Sequence, residues 1–483
     1  MLFRQCNETF IRSIGPHGYL TNQRTRRDRL FDDSGRVFLS EISRSPTRVE
    51  DAVQNLCGVY ADVTPELIRP DFIDFLNYLE RYGFVVTGSD TAELDGKDLG
   101  FRYDAGDLKP FTFDFRQDDE LLDVDESQRF LDPYLRDHPM VWEFHMEVTS
   151  RCNERCIHCY IPHTNKTTDI DFSLATKTID QLHDMGTLSI TFGGGEATLH
   201  PKLPQMIRYA READLSVSLL SNLMNVSDDL FDALRESRMS LVQVSVYSMD
   251  AKEHDTITKV PGSLRKTLAN IERLIDANVP VQISCPVMKT NYRSYKNVLS
   301  WAQDRSMKAY TDFIMMARSD GTTDNLDQRL TRAQARTLLE EIVHVDDDYR
   351  VMVAEEPREK LFMDQADRPV CGVAVNTLCM GVDGQCYPCS GWQGYKVGDL
   401  TTSTLAEVWN KSPQLNYLRS IKRGDFAQCQ GCADQNYCAM CMVRNYNETG
   451  DIFSTPKHFC EMAELNREVV EEHRRAHKVA SVR

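Results

Sequence analysis

Between residues 140 and 345 the chain changes its hydrophobic period again and again. Apolar, β-branched runs stand at VWEFHMEVT (141–149), LSITFGG (188–194), LSVSLLSN (215–222), LVQVSVYS (241–248), VPVQISCPVM (279–288) and AYTDFIMMA (309–317). Amphipathic helical patterns such as SLATKTIDQLHDMG (173–186) and SLRKTLANIERLIDA (263–277) lie between them. A strand that recurs after a full helix cannot be a hairpin partner. It must run parallel to its predecessor, through a right-handed crossover. Six βα units suit a partial (βα)6 TIM-like barrel; a doubly wound parallel sheet is the alternative. Both architectures place their chemistry at the C-terminal ends of the strands.

Chemically unusual residues fall there. Cys152, Cys156 and Cys159 follow the first run, in TSRCNERCIHCYIPH (149–163). Gly193-Gly194-Gly195-Glu196 ends the second, Ser221-Asn222 the third, and Ser245 and Tyr247 lie near the end of the fourth.

Two further regions flank this core. Residues 1–90 open with short β-like pieces, TFIRSI, GYLTNQ and RVFLSEI, followed by helical patterns at VEDAVQNLCGVY and PELIRPDFIDFLNYLERYGFV. This order predicts a small, winged-helix-like α+β domain. Residues 91–138 are acidic and weakly patterned, as in a linker with one helix. The core is expected at 139–345 and a cysteine-rich domain at 346–483.

A net charge of −17 argues against general affinity for nucleic acid or anionic membrane. No apolar run approaches the ~18 residues of a membrane span, and MLFRQCNETFIRSIG lacks a signal-peptide core. The expected compartment is the cytoplasm, where thiols stay reduced, so 15 cysteines read as metal ligands before disulfides. They are unevenly spread. Three lie in the triplet and nine between 371 and 460, while Cys6, Cys57 and Cys285 are scattered. Cys6 and Cys57 read as small apolar fillers, and Cys285 as a core residue that could instead border the strand-end site.

Thiolates bind zinc or iron–sulfur clusters. Three thiolates on one short loop leave a cubane iron open for a substrate or cofactor. A zinc loop completed by His158 or His163 is the other possibility. The motif CNxxCxxCY at 152–160, with GGE on the next strand, resembles the radical SAM superfamily over about 200 residues. The resemblance implies a [4Fe–4S] cluster on Cys152, Cys156 and Cys159, with S-adenosylmethionine chelating the fourth iron. One-electron cleavage of that cofactor would yield a 5′-deoxyadenosyl radical that abstracts a hydrogen atom. It further implies that Gly194 and Gly195 let backbone approach the methionine end and that Glu196 receives its ammonium group. Asn222 and Ser245 match cofactor-contacting strand ends. Lys259 stands where relatives often carry an arginine for the carboxylate. His158 replaces the usual larger aromatic ring, and Ala197 the usual proline after GGE.

The C-terminal pattern is Cys371-x12-Gly384-x4-Cys389, Cys429-x2-Cys432-x5-Cys438-x2-Cys441, then Cys460. It resembles the SPASM extension, with two intervening residues in its last pair where three are common. The resemblance implies two auxiliary [4Fe–4S] clusters, three in all. One would sit on Cys371, Cys389 and Cys441 with Cys379 as fourth ligand, or Cys386, or an open site. The other would sit on Cys429, Cys432, Cys438 and Cys460.

The first 90 residues are similar in order and size to the leader-recognition domain of ribosomal-peptide maturases. An edge strand there could accept an extended leader by β-augmentation, and the basic run Arg24–Arg29 could meet an acidic leader or be a solvated turn. The implied activity is a radical SAM maturase that installs a thioether or other side-chain crosslink in a precursor peptide, using reduced flavodoxin or ferredoxin. No acid or base residue is assigned. Maturation of a partner enzyme, of sulfatase or quinone-cofactor type, is the second reading. Its sulfatase form is weakened because Ser390 stands where those relatives carry aspartate. An iron–sulfur electron carrier or zinc-bound scaffold is the non-enzymatic one.

Overall fold

In a computed structural model, the described residues are 1–60, 63–103, 130, 131, 133–162, 167–345, 349, 353, 366–438 and 440–481. Most of the acidic linker, and His163, lie outside them.

The N-terminal domain holds six short strands: β1 (Leu2–Gln5), β2 (Thr9–Ile14), β3 (His17–Asn22), β4 (Arg27–Phe31), β5 (Thr47–Arg48) and β6 (Val85–Gly88). They form two three-stranded sheets, ordered β5-β1-β6 and β2-β3-β4. Helices Val49–Val59 and Pro65–Arg81 close a core around Phe3, Leu20, Phe72, Leu76 and Phe84. RVFLSEI, expected as a β-like piece, lies largely in the helix Asp33–Ser40 instead. The local signal that wins is the cap: Asp32 accepts a hydrogen bond from the Gly35 amide. The basic run begins in a turn and becomes the edge strand β4. There Arg29 is buried, donates to Tyr78 Oη at 2.8 Å and stacks on Tyr82.

The barrel strands follow: β7 (Glu143–Thr149), β8 (Ser189–Gly194), β9 (Ser216–Ser221), β10 (Leu241–Ser245), β11 (Val281–Ser284) and β12 (Lys308–Tyr310). All neighbours pair in parallel and in chain order. A doubly wound sheet would reverse its strand order at a switch point within the βα units; β7–β12 run in unbroken order, and the partial barrel holds. Strands end earlier than their apolar runs. In AYTDFIMMA only the first residues pair, and the rest walls a cavity. Three more strands, β13 (Thr377–Met380), β14 (Gln385–Tyr387) and β15 (Gly398–Asp399), extend the same sheet beyond β7. β13 runs parallel to β7 and sets Cys379 beside His145. The C-terminal helix Lys457–Ser481 lies along Arg332–Ile342, where Arg332 and Arg336 pair with Glu464, Glu468 and Glu472. No helix among the described residues is long and apolar enough to cross a membrane.

The N-terminal domain docks on the N-terminal ends of the barrel strands. Arg12 reaches the Thr187 carbonyl at 3.0 Å and the Asp214 carboxylate at 2.9 Å, and Arg44 donates to the same carboxylate at 2.7 Å. Arg211 donates back to the Asn7 carbonyl. All three guanidiniums lie over the Phe10 ring. Asp214 adopts a left-handed conformation (φ +57°) that Asn tolerates well. Asp214→Asn therefore isolates the loss of charge. It should destabilise the seam by about 1–2 kcal/mol, between the values for exposed and buried ion pairs. Hydrogen exchange should then speed up across residues 1–97 and stay unchanged in β7–β10.

Candidate active site at the C-terminal ends of the barrel strands

The strand ends of the barrel line a cavity of about 460 Å³. The expected residues Cys152, Cys156, Cys159, Gly194, Gly195, Glu196, Asn222 and Ser245 all line it. Lys259 is not among its lining residues; it is exposed and caps the helix Ala251–Thr258 in a left-handed turn.

The glycines have a task beyond admitting a ligand. A Cβ at Gly194 (φ +125°) would sit 2.3 Å from the Thr149 carbonyl oxygen, and one at Gly195 would sit 2.4 Å from that of Arg151. The loop after β7 is thus laid directly on the end of β8. It is held there by Gly195 N–H to Thr149 O and Glu196 N–H to Arg151 O, both 2.8 Å. The buried Glu196 carboxylate accepts from the Thr198 amide and hydroxyl, from Ser221 Oγ at 2.6 Å and from the Asn222 amide at 2.7 Å. Asn222 carries the link onward: its Nδ2 donates to Asn153 Oδ1 at 2.7 Å. Glu196 and Asn222 thereby lock the ends of β8 and β9 to the triplet loop.

That loop is pinned from its other side by Arg155 N–H to Thr258 O and Ile157 N–H to Ile257 O. The Cys156 thiol donates to Glu154 at 3.1 Å and lies 3.9 Å from Tyr247 Oη. Glu154 is a participant that sequence reasoning missed. Burial, with Glu196 close by, pushes its carboxyl up to about 7. A buried carboxyl inside a metal-binding motif has no sequence pattern of its own. His158 packs edge-on against Tyr247, so an imidazole does fill the aromatic position. Burial holds it down to about 4, and its Nδ1 has no partner among the described residues. Three thiols and an unsatisfied ring nitrogen lining one cavity fit a guest with polar atoms, as a sulfide-bridged cluster has.

The C-terminal cysteines fall into groups. Cys429, Cys432, Cys438 and Cys460 line one separate cavity of about 160 Å³. Burial raises the Cys371 and Cys389 thiols, and each also feels Cys441. Cys379 and Cys386 part ways. In the β13–β14 register Cys386 faces Met380, and Cys379 faces Tyr387 on the opposite side of the sheet. Cys379 therefore turns to the side of His145, and its first charged neighbour is Glu147, followed by Cys389. Cys386 joins the main core, as does Cys285, while Cys6 and Cys57 belong to the N-terminal domain's clusters.

Comparison with known proteins agrees with this layout. Residues 146–302 match the family model described as "Radical SAM superfamily". Residues 371–433 match the SPASM "Iron-sulfur cluster-binding domain" and residues 29–85 match "Coenzyme PQQ synthesis protein D (PqqD)". An AdoMet-dependent heme synthase of Methanosarcina barkeri is 26% identical over 330 residues, covering 63% of this chain and 92% of that protein. The antilisterial bacteriocin subtilosin biosynthesis protein AlbA of Bacillus subtilis is 22% identical over 315 residues, covering 64% and 69%. The crystal structure of Streptococcus suis SuiB bound to precursor peptide SuiA superposes with a TM-score of 0.61 at 14% identity, covering 95% of this chain and 99% of that one. The chain carries a radical SAM enzyme core at residues 146–302, and joins to that core a SPASM iron–sulfur domain and a PqqD-like domain.

Proposed function

We propose that this protein is a maturase of a ribosomally made precursor peptide, installing a thioether or other side-chain crosslink. The observation that carries the reading is the joining, in one chain, of a PqqD-like domain to a radical SAM cavity and a cysteine-rich extension. The likeness to SuiB runs through nearly the whole chain.

In this reading Cys152, Cys156 and Cys159 hold a [4Fe–4S] cluster, with S-adenosylmethionine beside Glu196, Asn222 and Ser245. When bound and reduced, that pair supplies a radical able to take a hydrogen atom from an unactivated carbon. The chain's residues bind and orient. The Gly194–Gly195 contact fixes the triplet loop on β8, and Glu196 keeps the ends of β8 and β9 in register beneath the guest. The apolar wall of Phe313, Ile314, Met315 and Met316 excludes water from the cavity. Cys371, Cys389 and Cys441 hold one auxiliary cluster, and Cys429, Cys432, Cys438 and Cys460 the other. Reduced flavodoxin or ferredoxin would supply the electron for cofactor cleavage, and an oxidised auxiliary cluster would accept the electron given up by the substrate radical. The outer edge of β4 receives the leader peptide, since only its inner edge is taken, by β3, among the described residues. The second reading is modification of a tetrapyrrole, favoured by the 26% identity to the heme synthase.

Co-expression with short open reading frames adjoining the gene, followed by mass spectrometry, separates the two. Peptide maturation predicts a product short of two hydrogen atoms per crosslink. A modified tetrapyrrole with every peptide unchanged overturns it. Cys156→Ala should remove about four of about twelve irons per chain and lower 5′-deoxyadenosine formation at least about 100-fold, read by iron analysis and chromatography. Arg27→Glu, on the exposed edge strand, should weaken leader binding about tenfold in fluorescence anisotropy, as rim charges do. Cleavage of S-adenosylmethionine without peptide should be unaffected.

A further inference from the structure

We propose that His145, Glu147 and Cys379 form a mononuclear divalent-metal site in the cavity floor, suited to zinc and open on its fourth side. The donor atoms of these three side chains all lie within 4.8 Å of one another. They converge because of the sheet. His145 and Glu147 stand two residues apart on β7 and so share a face, and the parallel register places Cys379 next to His145. His145 and Glu147 line the cavity, whereas Cys379 is fully buried behind them.

The chemistry of the set is that of a zinc site: imidazole, carboxylate and thiolate. Zinc–ligand distances of about 2.0–2.3 Å place neighbouring donors roughly 3.2–3.7 Å apart, so the set closes by about 1 Å on an ion. Charge points the same way. A carboxylate buried beside a thiol is poorly solvated and favours a nearby cation. A dication beside a neutral imidazole brings the site to zero net charge, with the Cys379 proton released to solvent. The surroundings are built for the ligands as well. Gln393 Nε2 donates to Glu147 Oε1, as outer partners of metal-bound carboxylates do. Gly193 leaves room for the imidazole, since a Cβ there would come 2.8 Å from His145 Nε2. Three protein ligands with one open position is the arrangement of a zinc ion that takes a substrate atom. The position opens onto the cavity, where a thiolate or carboxylate side chain of the substrate fits. The proposal takes Cys379 away from the auxiliary cluster and leaves that cluster three cysteines.

The test uses the full chain, anaerobically reconstituted, given one equivalent of zinc, desalted, and analysed for zinc and iron. The expected result is one zinc per chain, with one sulfur scatterer at about 2.3 Å in the zinc-edge X-ray absorption spectrum. His145→Ala and Glu147→Gln should each cut retained zinc at least about tenfold with iron unchanged. Gln393→Ala, which removes no ligand, should weaken retention about tenfold, within the range seen for outer-partner changes. This variant keeps the proposal testable should a ligand variant fail to fold. No retained zinc, zinc indifferent to all three changes, or a spectrum with two or more sulfurs would overturn the proposal. So would Cys379→Ser losing about four irons, because that result assigns Cys379 to a cluster.

Discussion

Everything in this active site hangs on how closely the loop after β7 lies on the end of β8. At Gly194 and Gly195 no atom beyond the backbone separates them, and a single added carbon would overlap the carbonyls of Thr149, Ser150 and Arg151. That contact decides where the triplet loop starts, and so where three thiols can converge. Glu196 extends the constraint sideways. By gathering donors from Thr198, Ser221 and Asn222 it joins the ends of β8 and β9, and Asn222 returns the connection to Asn153 inside the triplet. A buried carboxylate is costly unless its lone pairs are met. Here they are met by groups from several elements, which turns the cost of burial into specificity of position. The glutamate and the glycines thus belong to one device that sets the triplet loop relative to the sheet, whatever further contacts they make to a bound cofactor.

Much of this was legible in the sequence because it is written locally. The triplet, the GGE motif and the C-terminal CxxC pairs each occupy a few residues at strand ends or in loops, and the strand–helix alternation needs only short windows. What escaped notice depends on long-range pairing. Nothing local marks Thr377–Met380 as a strand that adds to β7, so the proximity of Cys379 to His145 and Glu147 had no sequence signature. The sequence offers Cys379 as a fourth ligand and Cys386 as its alternative; the register of a three-residue strand turns them to opposite faces. RVFLSEI misled for a different reason. Its apolar residues suit either period over so short a length, and the Asp32 cap decided for helix.

The surface is strongly acidic, with a net charge of −17, yet the seam between the N-terminal domain and the barrel concentrates arginine. Arg12, Arg44 and Arg211 share Phe10 as a platform, and Arg12 and Arg44 share the Asp214 carboxylate. Most of their remaining donors meet backbone carbonyls of Thr187, Ile11, Cys6, Asn7 and Thr9. Planar guanidiniums suit this role because they stack and donate in several directions at once. The seam is therefore specific and directional, unlike the loose contact expected between two apolar patches. The domain is held in one pose.

That pose has a consequence for substrate delivery under the proposed function. Thr187 and Asp214, which hold the domain's Arg12 and Arg44, precede β8 and β9. The N-terminal domain thus sits at the N-terminal ends of the strands, while the cavity opens at the C-terminal ends. A peptide held on β4 must pass the length of the barrel wall before a side chain can enter the cavity. A six-residue strand spans about 20 Å, which takes an extended peptide about six residues to match. With the turn inward, the residue that reacts lies on the order of ten or more positions from the segment that is recognised. The fixed seam makes this spacing a property of the enzyme, a ruler set by Asp214 and its arginines, and it separates the residues that recognise a precursor from those that determine where it is changed.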